Sequence, residues 1–390
     1  MTEITEEPST ALLKRVRDLL PTIRDRADES ERLRSIPKES ARDLIDAGLA
    51  RMLVPERFGG MEADLATWVE VVTEIGTADA SHAWCASLLA HHPHYIAQFP
   101  EAAQQAVWAD GPDVSIAGPF TPVMEVDPVE DGYILSGTAA FASGVNHSTW
   151  IIVGGMLAHG NDEPEWTLFL APPGSFEIRD TWHTVGMCGT GSNSVVLRNV
   201  FVAADHTLRV ADLREGTGPG AELHPSPIYR TPWLTYNGFT FVAPMLGAAL
   251  GALEDFCQWN RNRASMHGSS VSKYISIQRR VAEAGAQLDA ARLLTDRAMS
   301  VADAPQRASL ELRARAGRDG ICASQLIVSA METIMGMSGA AGFASTNRIQ
   351  RAWRDVHFAS SHVLLNPEVG YPVWGRHQFG LERDPETQWY

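Results

Sequence analysis

One β-rich stretch, Asp131 to Val202, constrains this chain more than any other feature, because long blocks of helical pattern flank it on both sides. It opens DGYILSGTAAFASGVNHSTWIIVGG and closes HTVGMCGTGSNSVVLRNVFV. Ile134, Thr138, Phe141, Trp150, Ile151, Ile152 and Val153 suit a pleated, half-buried surface, as do Val195, Val196, Leu197, Val200, Phe201 and Val202. Two turns interrupt the pattern, Ser143-Gly144 and Gly189-Thr190-Gly191-Ser192-Asn193. The reading is an α+β chain in which a β insert, with free backbone amides at its turns, grafts a site onto a helical frame.

The 390 residues are too many for one simple core. The divisions expected are a helical domain over 1–112, an antiparallel β domain over 113–220 carrying the ligand side, and a four-helix bundle with its tail over 221–390. A net charge of -15 leaves no basic stripe to neutralise phosphates, so neither nucleic acid nor an anionic membrane is an expected partner. There is no unbroken run of roughly 18 apolar residues, so no membrane span is expected. The N-terminus lacks the basic-then-apolar order of a secretion signal. Cys85, Cys188, Cys257 and Cys322 are far apart, with no CxxC pair, which implies neither a disulfide framework nor a zinc site. A cytoplasmic enzyme is the expectation.

Leu12, Leu13, Val16, Leu19, Leu20 and Ile23 fall at helical spacing, with Pro21 as a candidate kink. A second helix opens at Ser35 and Pro37 and closes at Gly48. Met52 to Gly60 reads as a buried loop. Trp68, Val71, Val72 and Ile75 mark another helix, and Trp84, Leu88, Leu89, His91, His92, His94 and Tyr95 the next. The three histidines invite a metal reading, but their spacing spreads them around a helix and HExxH is absent, so no metal is expected. One of them should face a cavity and the others solvent or an interface. Val114 to Pro122 reads as a strand running into a tight loop, and 212–234 as a long connection. Helices follow over 241–263, 271–302, 307–336 and about 346–364, the last ending before Asn366-Pro367.

This order resembles the acyl-CoA dehydrogenase fold, and in detail its reduced-flavin-dependent two-component monooxygenase branch, which includes 4-hydroxyphenylacetate and steroid-phenol hydroxylase oxygenase components. Five segments carry the resemblance: VPERFGG at 54–60, the helix with Trp84 and His92, FASGVNHSTWIIVGG at 141–155, GMCGTGSNSVVLRNVFVAADH at 186–206 and IQRAWRDVHFASSH at 349–362. The resemblance implies an oxygenase component fed FMNH2 or FADH2 by a separate NAD(P)H:flavin reductase. It would react with O2 through a C4a-hydroperoxyflavin and hydroxylate an aromatic or polycyclic small molecule. No GxGxxG occurs that would let the chain reduce flavin from a nicotinamide itself. A homotetramer is implied, because neighbouring subunits complete the flavin site in this fold.

Carried over residue by residue, Ser143 would accept a hydrogen bond from flavin N5, His362 would hydrogen-bond the peroxide or the substrate, and His92 would face the cavity. The plain alternatives are a turn serine, a histidine at a helix end and a packed histidine. Thr190, Gly191 and Ser192 would meet the flavin's polar edge, while Phe120, Phe141 and Trp182 would border its ring or fill the core. Arg263, followed by His267-Gly268, would reach a neighbouring subunit's flavin phosphate. Arg348, Arg351 and Arg354 would line a phosphate or pair with carboxylates. Where the dehydrogenases of this fold carry a catalytic glutamate, this chain has Phe358 to His362. Three positions depart from the branch: Cys188 stands where an arginine is usual, Ala117-Gly118-Pro119 replaces a serine-rich strand, and the aromatic pair is reduced to Ala139 and Phe141. These departures make the pocket less polar and favour a larger apolar substrate over a phenolate. The competing readings are an acyl-CoA dehydrogenase-type oxidoreductase, an N- or S-oxygenase, and a non-redox flavin- or ligand-binding protein.

Overall fold

Apolar residues at helical spacing turn the described residues of the N-terminal block into five helices: α1 (Pro8–Leu33), α2 (Lys38–Ala47), α3 (Leu65–Ala78), α4 (Ala80–Ile96) and α5 (Glu101–Val107). The computed structural model describes residues 8–158, 163–264, 268 and 270–382. Pro21 sits inside an uninterrupted α1. Asp64 caps α3 by accepting from the Thr67 N–H, and Asp79 caps α4 by accepting from the His82 N–H, the two strongest local reasons for helices to start there. The loop from Met52 is buried, with Met52, Leu53 and Val54 all shielded from solvent.

Among the described residues the middle of the chain forms eight strands: β1 (Ile116–Ala117), β2 (Pro122–Val129), β3 (Gly132–Ala142), β4 (Trp150–Leu157), β5 (Glu165–Ala171), β6 (Phe176–Arg179), β7 (Asn193–Ala203) and β8 (Thr207–Arg209). Their order is β6-β7-β3-β2-β4-β5-β8, with β1 on β4. The longest ladders are antiparallel, β3 with β7 and β4 with β5. The seam is parallel, because both β1 and the start of β2 run alongside β4. At that seam a side chain on Gly154 would begin 2.0 Å from the Phe120 carbonyl oxygen, so only glycine lets the segment before β2 lie this close. Leu135, Val153, Phe169, Val195 and Leu197, from both halves of the sheet, share one core.

The 212–234 connection is more ordered than its Gly/Pro content predicts. It holds α6 (Val210–Glu215) and three short 3-10 turns, and it buries Ile228, Tyr229 and Trp233. The helices that follow are α7 (Phe239–Asn260), α8 (Ile275–Ala302), α9 (Leu310–Gly342) and α10 (Arg348–Ala359). A further helix, α11 (Pro367–Gln378), begins at the Asn366-Pro367 pair, which the sequence reading took only as a stop. The pair is a start signal as well: Asn366 accepts from the Glu368 N–H, and Pro367 opens the first turn. Small residues in α7 do what their size allows, since a Cβ on Gly247 would stand 2.2 Å from the Thr73 carbonyl oxygen of α3. Two stretches, Trp233–Asn260 and Leu310–Gly342, are long and apolar enough by composition for a membrane span, yet 78% and 56% of their apolar windows are buried inside the fold.

Candidate functional site

A cavity of about 410 Å³ opens where the three blocks meet. From α4 it takes Trp84, Leu88, His91, His92 and Tyr95, which are i, i+4, i+7, i+8 and i+11 on one helical face. The segment ahead of β2 adds Gly118, Pro119 and Phe120, and the end of β3 adds Phe141 and Ser143. The turn before β7 adds Trp182, Met187, Thr190 and Ser192, and the entry to α7 adds Trp233, Asn237, Thr240 and Phe241. Phe358, His362 and their neighbours close it where α10 ends.

One wall is a run of hydroxyls. The Trp84 Nε1–H donates to Ser143 Oγ at 3.1 Å, Ser143 Oγ lies 2.7 Å from Ser192 Oγ, and Ser192 Oγ lies 2.7 Å from Thr190 Oγ1. The Thr190 hydroxyl donates to the Met187 carbonyl at 2.9 Å, and the Trp182 indole N–H donates to the same oxygen at 3.0 Å. Met187 itself adopts a left-handed backbone (φ 52), which a non-glycine residue holds only when its surroundings enforce it. The enforcing group is Asp355 on α10, whose buried carboxyl accepts from the Met187 N–H at 2.6 Å. Burial and then the nearby Asp79 push the Asp355 pKa up to about 7.

The imidazoles make the second polar set. His92 Nδ1 sits 2.6 Å from the Ile116 carbonyl, which can only accept, so Nδ1 carries the proton and Nε2 keeps its lone pair. His362 shows the reverse: its Nδ1 accepts from the Leu364 N–H at 3.3 Å, so Nε2 carries the proton. The His362 ring stacks on Phe241 with centroids 3.7 Å apart. Burial lowers the pKa of both to about 4, so near neutral pH these two rings present one imidazole donor and one imidazole acceptor. The α4 histidines therefore differ from expectation. All three are buried; His91 also lines the cavity, and His94 packs away from it, donating to the Ile228 carbonyl at 2.9 Å. Among the described residues no group of three or more His, Cys, Asp or Glu is placed to hold a metal ion.

Of the residues singled out in the sequence, Ser143, His362, His92, Thr190, Ser192, Phe120, Phe141 and Trp182 all reach this one cavity. Gly191 does not line it; it supplies the left-handed backbone (φ 56) between Thr190 and Ser192. Arg263 is also outside it, with its guanidinium 4.2 Å over the Trp259 ring. The His267 part of that reading lies outside the described residues. Arg348, Arg351 and Arg354 all pair with carboxylates: Arg348 with Asp255, Arg351 with Asp28 and Glu31, and Arg354 with Glu31. Sequence reasoning missed Asp355, the Trp84 indole N–H, and Asn237 and Thr240. For α4 the signal was present in the spacing from Trp84 to Tyr95; for Asp355 nothing local in the sequence marks its partner, which is 168 residues away.

Comparison with known proteins gives the family. The N-terminal domain of acyl-CoA dehydrogenase matches residues 6–111, and its C-terminal domain matches residues 239–367. A flavin-dependent monooxygenase, oxygenase subunit HsaA, from Rhodococcus jostii is 35% identical over 95% of this chain and 98% of its own. An FADH(2)-dependent resorcinol hydroxylase, oxygenase component, from Rhizobium sp. is 32% identical over 96% of each chain. The crystal structure of 3-HSA hydroxylase from Rhodococcus sp. RHA1 superposes with a TM-score of 0.92, at 33% identity, over 97% of this chain and 99% of that one. The chain thus belongs to the acyl-CoA dehydrogenase fold family, among its flavin-dependent monooxygenase oxygenase subunits.

Proposed function

We propose that this cavity takes the ring of a reduced flavin, FMNH2 or FADH2, against the hydroxyl wall, and an aromatic or polycyclic small molecule between that ring and α4. The chain is then the oxygenase component of a two-component monooxygenase, supplied by a separate NAD(P)H:flavin reductase. The observation that carries the reading is that one cavity joins a hydroxyl edge, aromatic sides and two neutral imidazoles of opposite hydrogen-bonding sense.

The residues fit a flavin ring. Trp182, Phe141 and Phe358 offer flat apolar sides, with Trp182 edge-on to each of the other two. Ser143, Thr190 and Ser192 offer a short polar edge suited to a heterocycle that is apolar on its faces and polar at its rim. Bound reduced flavin supplies the electrons with which dioxygen yields one oxygen atom to the substrate and one to water. The protein's part is to orient and to exclude water. Ser143 meets the N5 edge of the ring. Through Nε2–H, His362 would donate to oxygen held at the ring, with no reorganisation because the imidazole is already neutral and fixed. His92 Nε2 accepts a hydrogen bond from a substrate O–H or N–H.

None of the described residues lining the cavity is Asp or Glu, so no carboxylate stands ready to take a proton alpha to a thioester. That weighs against the acyl-CoA dehydrogenase reading. Arg263 and the exposed Phe141, Val185 and Ile275 are consistent with a homotetramer in which neighbouring subunits complete the flavin site. Light scattering that finds a stable monomer counts against that part. A cytoplasmic setting, where NAD(P)H is available, fits the same scheme.

The test is anaerobic mixing with FMNH2 or FADH2, followed by oxygenated buffer in a stopped-flow absorbance cell. A transient species distinct from both reduced and oxidised flavin is expected. Reoxidation at the rate of free flavin defeats the proposal. Product analysis then separates oxygenation of carbon from that of nitrogen or sulfur.

A further inference from the structure

We infer that the Trp84–Ser143–Ser192–Thr190–Met187 chain of hydrogen bonds runs in one direction only, and that this makes the cavity select reduced over oxidised flavin. The inference rests on the proposal that Ser143 meets flavin N5.

Each end of the chain has a single role. An indole N–H only donates, and Trp84 Nε1 lies 3.1 Å from Ser143 Oγ. A carbonyl oxygen only accepts, and that of Met187 lies 2.9 Å from Thr190 Oγ1. The one hydroxyl proton of Thr190 therefore goes to Met187. Across the 2.7 Å gap Ser192 must then donate to Thr190, and across the next 2.7 Å gap Ser143 must donate to Ser192. The reverse order would leave the Thr190 and Met187 oxygens 2.9 Å apart with no proton between them, giving three hydrogen bonds instead of four. The far end cannot turn away, because the Met187 peptide is held by Asp355 at its N–H and by the Trp182 indole at its carbonyl.

Ser143 consequently has no proton left for the cavity, only a lone pair. Reduced flavin carries a hydrogen on N5 and can donate to that lone pair. Oxidised flavin has a bare nitrogen at N5, and there two lone pairs face each other. Discrimination between redox states thus comes from Trp84, Ser192 and Thr190, which orient the serine hydroxyl, as well as from Ser143 itself. For an enzyme that receives its flavin already reduced, this arrangement loads the productive form and releases the spent one.

The experiment measures Kd for oxidised FMN and FAD and, under anaerobic conditions, for FMNH2 and FADH2, following quenching of the protein's tryptophan fluorescence. Wild type, Ser192→Ala, Thr190→Val and Ser192→Thr are compared. Ser192→Ala returns the Ser143 proton to the cavity, and Thr190→Val lets the remaining links reverse. Wild type should bind the reduced form more tightly. In both of these variants the ratio of oxidised to reduced Kd should fall by about tenfold, the worth of one hydrogen bond, mainly through tighter oxidised binding. For a two-electron couple that equals a downward shift of about 30 mV in the bound flavin's potential. Ser192→Thr, which keeps the hydroxyl, should keep the wild-type ratio. A ratio unmoved in both Ser192→Ala and Thr190→Val, with reduced flavin still bound, overturns the inference alone. Wild type that binds neither form overturns the flavin reading of the cavity and this inference with it.

Discussion

The hydroxyl wall and the α4 wall face each other across one cavity and treat their polar atoms in opposite ways. Along the hydroxyl wall every proton has a protein acceptor, from the Trp84 indole to the Met187 carbonyl. Along α4 the polar atoms are underused: His92 keeps an Nε2 lone pair, and buried His91 Nε2 has no hydrogen-bond partner. A wall that is internally satisfied is rigid and suits a ligand of constant shape, such as a cofactor ring. A wall with unmet capacity costs stability until a ligand meets it, and it discriminates strongly among ligands that do or do not. On the proposed function, the difference assigns the cofactor to the satisfied side and the substrate to the side with unmet capacity.

The largest effect that tests this contrast is the response of stability to pH, which should have opposite signs for the two regions. Burial holds the His94 pKa at about 4, as it does for His92, and His91 lies well below its ordinary value. Below about 6.5 the unfolded chain takes up protons that the native histidines refuse. Their contribution is therefore complete above about 6.5 and is lost as pH falls through about 4, by about 1.4 kcal/mol per pH unit for each histidine. Asp355 behaves the other way. With its native pKa at about 7, the folded protein keeps a proton that the unfolded chain releases near 4, so its contribution is greatest at low pH and is lost as pH rises through about 7. Urea midpoints measured across pH should show a shallower acid limb for His92→Phe and a flatter upper limb for Asp355→Asn. If both variants change the same limb, the two walls do not differ in the way argued.

The next effect is kinetic. His362→Ala should lower hydroxylated product per reduced flavin consumed by about a hundredfold, the scale of a lost proton or hydrogen-bond donor at the reacting centre. Reduced-flavin Kd should not move. A matching loss of flavin affinity would transfer His362 from chemistry to cofactor binding.

What was legible in the sequence follows the range of the interactions concerned. The α–β–α order was visible because hydrophobic period and Gly-rich turns are local. The convergence of Ser143, Thr190 and Ser192 was accessible only through the resemblance, since their turns are separated by most of the β block. The histidines were legible as a cluster but not in orientation: helical spacing alone cannot show that the 212–234 segment folds back to bury His94 against Ile228 and Tyr229. The stacking of the Arg263 guanidinium on Trp259, one turn earlier, was not read from the sequence either, and it does not bear on the neighbouring subunit's phosphate that the resemblance implies. Asp355 could not be found at all, because its function is to hold a peptide that the sequence gives no reason to place beside it.

A smaller effect separates the walls sterically. A Cβ on Gly118 would lie 2.5 Å from the Phe120 ring and 3.0 Å from His92 Nε2, so Gly118→Ala crowds the α4 side alone. Substrate KM should rise about tenfold, the scale of a methyl group lost from or forced into an apolar pocket, with reduced-flavin Kd unchanged. A shift in flavin affinity instead would mean that the ring, not the substrate, lies against His92.

The smallest effect concerns Phe141 on the hydroxyl side. It has a left-handed backbone (φ 64) and is 70% exposed, yet its ring borders the cavity, edge-on to Trp182 with centroids 6.2 Å apart. A non-glycine residue in this region costs roughly 1–2 kcal/mol. Phe141→Gly removes that strain but loosens the unfolded chain by roughly 0.5–1 kcal/mol, so a net gain in stability of roughly 0 to 1.5 kcal/mol is expected. If the strain is retained because the aromatic edge serves the flavin, the same variant should weaken reduced-flavin binding by about fivefold, within the range for one aromatic pair. A more stable protein with poorer flavin binding supports that exchange. A more stable protein with unchanged binding would show that the hydroxyl chain and Trp182 are enough to hold the ring, and that Phe141 serves another surface.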